Sequence, residues 1–134
     1  MTAREAFSTP LAPAPAGTYS TAVAAGDFIF LAGQTPRDVH DVRHGDQPFA
    51  VQVRMVLDNL EAAARAAGAS LQDAVKVTVY LTQPGRAKEF DAIYAGYVGT
   101  PPPARTLVQS ALPGFDVELD AILLRPAAGR PRQP

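Results

Sequence analysis

The chain has 134 residues, 47% hydrophobic and 19% charged, enough for one domain with one core. The 12 basic and 13 acidic side chains give a formal net charge of −1, which argues against a sequence-independent grip on nucleic acid. There is no cysteine, which excludes disulfides, thiolate nucleophiles and cysteine-based metal sites.

Residues 1–16 carry Pro10, Pro13 and Pro15 among alanines and read as an irregular lead to a domain spanning 17–125. Tyr19 to Ala25 is expected to be a short strand, Gly26-Asp27 a turn, and Phe28 to Ala32 a second strand. A polar loop over 33–46 follows. His40 and His44 sit there at i, i+4, but Gly45 and the charged neighbours read as solvated loop, so no metal site is expected. Pro48 suits a first helical turn. Phe49, Val53, Val56, Leu57, Leu60 and Ala64 then form the apolar stripe of a helix that stops at Gly68.

Ala74 to Leu81 is a strand, with Val75, Val77, Val79 and Leu81 alternating against Lys76, Thr78 and Tyr80. Pro84-Gly85 ends it. A second helix is expected from about Arg86 to Val98, with Phe90, Ile93, Tyr94 and Tyr97 facing inward. Pro101-Pro102-Pro103 forces extended chain. Ala104 to Gln109 and Asp116 to Leu124 read as strands forming a hairpin, and 126–134 as a mobile tail. The order is β-β-α-β-α-β-β, an α/β (α+β) domain with two helices on one face of a mixed sheet. On the other face Tyr80, Leu107, Ile122 and Leu124 would meet water, which points to a closed oligomer. No apolar run approaches the ~20 residues that cross a bilayer. A secretory start is also missing, so the cytoplasm is the expected compartment.

By strand alternation Arg105 shares a face with Leu107 and Gln109, and Glu118 shares one with Asp120 and Ile122. With Val117, Leu119 and Ala121 on the helices, Glu118 and Asp120 point to the open face, and Arg105 is expected there too. Two readings stand side by side. One is an interfacial salt bridge from Arg105 to Glu118 or Asp120. In the other, Arg105 clamps a ligand carboxylate while Glu118 positions a water or takes its proton. Tyr19 is a weaker candidate for lining a pocket, as is the Gly33 backbone, where a glycine lets a ligand approach. Ser20 has no base near it in sequence, and there is no glycine-rich phosphate loop.

These segments, in their order, resemble the YjgF/RidA family. Gly17-Thr18-Tyr19-Ser20, Phe30-Leu31-Ala32-Gly33-Gln34-Thr35-Pro36, Leu57-Asp58-Asn59-Leu60, Val75 to Leu81, Pro102-Pro103-Ala104-Arg105 and Val117 to Ala121 carry the likeness across roughly residues 17–125. The resemblance implies a chorismate-mutase-like fold and a homotrimeric barrel with clefts between subunits. It also implies cofactor-free hydrolysis of reactive 2-enamine and 2-imine acids to 2-oxo acids and ammonia. Arg105 would hold the substrate carboxylate and Glu118 the water, with Tyr19 and Gly33 lining the cleft. The chain departs from the family pattern at Tyr94, Leu107 and Ala32, each in place of a small polar residue. That implies a more apolar floor and a larger or aromatic acid as substrate. The alternatives are a pathway-specific hydrolase or lyase on the same scaffold, and a non-enzymatic protein that binds a metabolite or partner.

Overall fold

The computed structural model describes residues 3–127. Strands β1 (Arg4–Phe7), β2 (Ala22–Ala25), β3 (Phe28–Gln34), β4 (Ala74–Leu81), β5 (Ala104–Gln109) and β6 (Val117–Leu124) form one sheet in the order β1-β2-β3-β6-β4-β5. Helices α1 (Phe49–Ala66) and α2 (Ala87–Tyr94) complete the mixed α+β fold.

The apolar stripe of α1 decides which sheet face is inside. Phe49, Val53, Val56, Leu57, Leu60 and Ala64 are buried, as expected from their spacing. They join Ile29 and Leu31 of β3, Val77, Val79 and Leu81 of β4, and Val117, Leu119, Ala121 and Leu123 of β6 in one core. Gly68 follows the helix with φ +83°, as its C-terminal position suggested.

Four expectations need correction. Within the lead, Arg4–Phe7 pairs antiparallel with β2. Three of its four side chains are exposed, so backbone pairing holds it and no apolar alternation announces it. The next strand begins at Ala22, which leaves Tyr19 in irregular chain. Helix α2 ends at Tyr94, and the chain tightens there through a bond from the Tyr97 N–H to the Tyr94 carbonyl.

The fourth correction matters most. Strands β5 and β6 do not form a hairpin. They flank β4, β6 antiparallel and β5 parallel to it. The connecting segment closes over the end of β4, where the Ser110 N–H meets the Leu81 carbonyl and the Thr82 N–H meets the Asp116 carbonyl. Strand β6, with one wholly apolar face, takes the interior of the sheet. Strand β5, exposed at most positions, takes the edge. Of the expected tail, residues from 128 onward lie outside the described residues.

The sheet face away from the helices is uncovered. Phe28, Phe30 and Leu124 remain 42%, 44% and 41% exposed there, beside half-buried Val23, Tyr80 and Ile122. Among the described residues no helix is long and apolar enough to cross a membrane.

Candidate functional site

Register assigns the two principal candidates to opposite faces. Arg105 pairs with Val77 and Leu107 with Val79, and both valines are core residues. Arg105 and Leu107 therefore lie on the helix side, not on the open face. Leu107 packs against the core. Glu118 and Asp120 pair with Tyr80 and Thr78 and do lie on the open face. The expected approach of Arg105 to these carboxylates within one chain does not occur. Both faces of β5 carry apolar residues, so its pattern alone has no preferred side. The register with β4 decides.

Arg105 lies beside helix α2. One N–H donates to Asp91 Oδ1 at 2.7 Å, and the guanidinium lies 4.9 Å from the Tyr94 ring centroid and 5.8 Å from that of Phe90. The ion pair is part-exposed, with side chains 30% and 57% accessible. It takes one of the five donors a guanidinium offers. Arg105, Asp91, Tyr94 and Pro102 line an open cavity of about 540 Å³. Tyr94 forms its buried wall, stacked on Phe90 with centroids 5.2 Å apart. Among the described residues its buried hydroxyl has no hydrogen-bond partner. Burial pushes its pKa up, against the pull of Arg105.

A second cavity of about 460 Å³ holds Glu118, with Tyr19, Ala32, Gly33, Arg43 and Phe115 around it. Gly33 sits where the register of β3 against β6 shifts. A Cβ at Gly33 would lie 2.5 Å from Glu118 Oε2, so glycine is what lets the carboxylate rest against this backbone. The Tyr19 hydroxyl accepts from the Ala16 N–H at 2.9 Å, which fixes the ring at the cavity's edge. Burial raises the Glu118 pKa and Asp120 adds to that, while the positive charge of Arg43 opposes it. Burial raises Asp120 as well, but the Tyr80 hydroxyl donates to it at 3.4 Å, and Lys76 and Thr78 also stabilise its charge. No protein group among the described residues donates a hydrogen bond to the Glu118 carboxylate.

Tyr19, Gly33 and Glu118 thus come together in one cavity, and Tyr94 and Arg105 in another. Leu107 lines neither. Asp91, Arg43 and Phe115 were not anticipated. Arg43 and Phe115 come from the loop 33–46 and the 110–116 connection, which carry no periodic pattern. Asp91, three residues before Tyr94, was legible as a neighbour on the same helical side. No group of three or more metal-binding side chains occurs among the described residues.

The Endoribonuclease L-PSP family profile matches residues 9–124. The chain belongs to this family, the YjgF/RidA family. A RutC family protein of Pyrococcus horikoshii is 42% identical over 123 residues, covering 89% of this chain and 96% of that protein. Protein DfrA of Myxococcus xanthus is 39% identical over 124 residues, covering 90% and 95%. Among solved structures, the yeast protein YEO7 superposes with a TM-score of 0.87 at 32% identity, covering 92% of this chain and all of that one. RidA from an Antarctic Psychrobacter superposes with 0.82 at 35% identity, covering 90% and 98%.

Proposed function

We propose that this YjgF/RidA-family chain hydrolyses reactive 2-enamine and 2-imine acids to 2-oxo acids and ammonia, without a cofactor. Its sites are completed between adjacent subunits of a cyclic homo-oligomer, a trimer by family resemblance. One observation carries this: Arg105 and Glu118 occupy open cavities on opposite faces of the same sheet. One small acid cannot reach both in a single chain. A ring that covers the apolar open face of each subunit can bring the Arg105 cavity of one to the Glu118 cavity of the next.

The chemistry follows from the groups. The free donors of Arg105 take the substrate carboxylate. Protonated imine carbon is already electrophilic, so the site must orient a water rather than activate a strong bond. Glu118 accepts a proton as that water adds to the imine carbon. It returns that proton to the carbinolamine nitrogen, and as the C–N bond breaks the departing ammonia takes the hydroxyl proton and leaves as ammonium, giving the 2-oxo acid. Its raised pKa suits both directions of transfer. Of the three departures from the family pattern, Tyr94 and Ala32 line the cavities and leave the case for a larger acid in place, whereas Leu107 packs on the core and drops out of it.

Subunit mixing tests the arrangement. Imines are generated by an amino-acid oxidase, and hydrolysis is read as loss of the semicarbazide-trapped species. Arg105→Ala and Glu118→Gln are each expected to be inactive while remaining oligomeric. Random co-assembly of the two restores about a quarter of the sites, because each site draws on two neighbouring subunits. Folded parents that show no recovery on mixing would overturn the shared site.

A further inference from the structure

The cavity around Glu118 contains more positive charge than a water-positioning carboxylate needs. Arg37 and Arg43 both line it. Arg37 is committed elsewhere: it is buried, bonded to the Ala14 carbonyl at 2.7 Å and paired with Asp41 at 2.7 Å. Arg43 is not. It is exposed, and among the described residues its side chain makes a single, long hydrogen bond of 3.4 Å to Thr35 Oγ1. Among the described residues no carboxylate forms an ion pair with it. Its guanidinium lies over the Phe115 ring, 5.2 Å from the centroid. That cation–π contact steadies the guanidinium at the cavity wall, where Phe115 also lies.

We propose that Arg43 selects substrates bearing a second acidic group, so that the preferred substrates are 2-imino dicarboxylates. The inference rests on the imine-hydrolase reading and deepens it. Arg105 of the adjacent subunit takes the carboxylate next to the imine carbon, and Glu118 faces that carbon. Arg43 then takes the acid at the far end of the side chain. Arg43 and Glu118 line the same cavity, so both face one space. Oxidation of an acidic amino acid at its α-carbon is the class of reaction that supplies such imines.

The test compares kcat/KM for imines generated enzymatically from aspartate or glutamate with those from leucine and phenylalanine. The wild-type protein is expected to favour the dicarboxylic imines by about tenfold or more, as one charge-assisted hydrogen bond can provide. Arg43→Gln brings that ratio close to one, and Arg43→Lys leaves it in between. Any common effect through Glu118 cancels in the ratio. A second measurement needs no variant: succinate should inhibit the wild-type protein more strongly than butyrate, with the difference fading as salt is raised. Equal or better turnover of the neutral or aromatic imines would overturn the role of Arg43 and leave the hydrolase reading standing. If no imine is accelerated, the hydrolase reading falls and this inference falls with it.

Discussion

Gln52 offers the sharpest test of how the Glu118 cavity is held. It lies on the buried side of α1 with no solvent exposure. Its Nε2 reaches the Gln47 carbonyl at 2.9 Å, Asp116 Oδ2 at 3.0 Å and the Gly45 carbonyl at 3.2 Å, and its Oε1 accepts from the Asp116 N–H at 2.9 Å. One amide therefore ties the loop after β3 to Asp116, the residue just before β6 and two positions before Glu118. The two segments already touch: a side chain on Gly45 would overlap the Gly114 carbonyl. Gln52→Leu keeps most of the volume and removes all four polar contacts. Each hydrogen bond is worth about 1 kcal/mol net, and buried orphans cost more, so the loss should be roughly 3–4 kcal/mol. For a domain of this size that lowers Tm by on the order of 10–15 °C. Urea and thermal unfolding at one fixed protein concentration would measure it, since assembly shifts both. A change below about 0.5 kcal/mol, the level of a neutral surface substitution, would refute the reasoning.

Three further outcomes follow from the same geometry. Glu118 must be ionised to take a proton, so the acid limb of kcat/KM should lie above the ordinary carboxylate range. Asp120→Asn removes a raising influence and should move that limb to lower pH; a shift upward would contradict the cause assigned. Tyr94→Phe deletes a buried hydroxyl that has no partner and should stabilise the fold by about 1 kcal/mol, read by urea unfolding; a loss of stability would mean the hydroxyl is satisfied. Gly33→Ala forces only the flexible end of Glu118 to move, so Tm should hold while kcat falls by roughly 10–100-fold, the scale of a 1 Å misplacement. Unfolding instead would show that the backbone, not the carboxylate, needs the glycine.

The sequence showed α1, most of β4 and the inward face of β6 because each repeats its apolar residues with one period on one side; Val75 was expected on the inward face of β4, but a register shift between Ala74 and Lys76 leaves it 40% exposed. It hid β1, where Arg4 and Glu5 pair through their backbone and bury little. It misplaced Arg105 for a related reason. Ala104, Leu107 and Val108 are apolar on both sides of β5, and only a long-range parallel pairing with β4 shows which side meets the helices. The wall of the Glu118 cavity was least legible. Arg43 and Phe115 are far apart in sequence and meet because Gln52 and Gly45 lock two irregular segments together, a tertiary fact with no local signature.

Two carboxylates on the open face of β6 look equivalent by alternation, and their surroundings separate them. Asp120 has hydrogen bonds from Tyr80 and Thr78 and the charge of Lys76, which oppose the effect of its burial without cancelling it. Glu118 has no hydrogen-bond donor from the protein among the described residues and relies on Arg43 acting through space. Both carboxyl pKa values are raised above their unfolded values. The fold therefore gains from each group below its unfolded pKa and loses that gain as pH rises through the raised value. At Asp120 its partners work against that shift, and at Glu118 the charge of Arg43 does. A half-buried charge kept without donors costs stability, and a purely structural ion pair would not leave it so. Unmet acceptor capacity beside an open cavity is what a group needs if its partner is to be a water that reacts. That asymmetry, more than its position in the strand, is the ground for proposing Glu118 rather than Asp120 as the group that handles the proton.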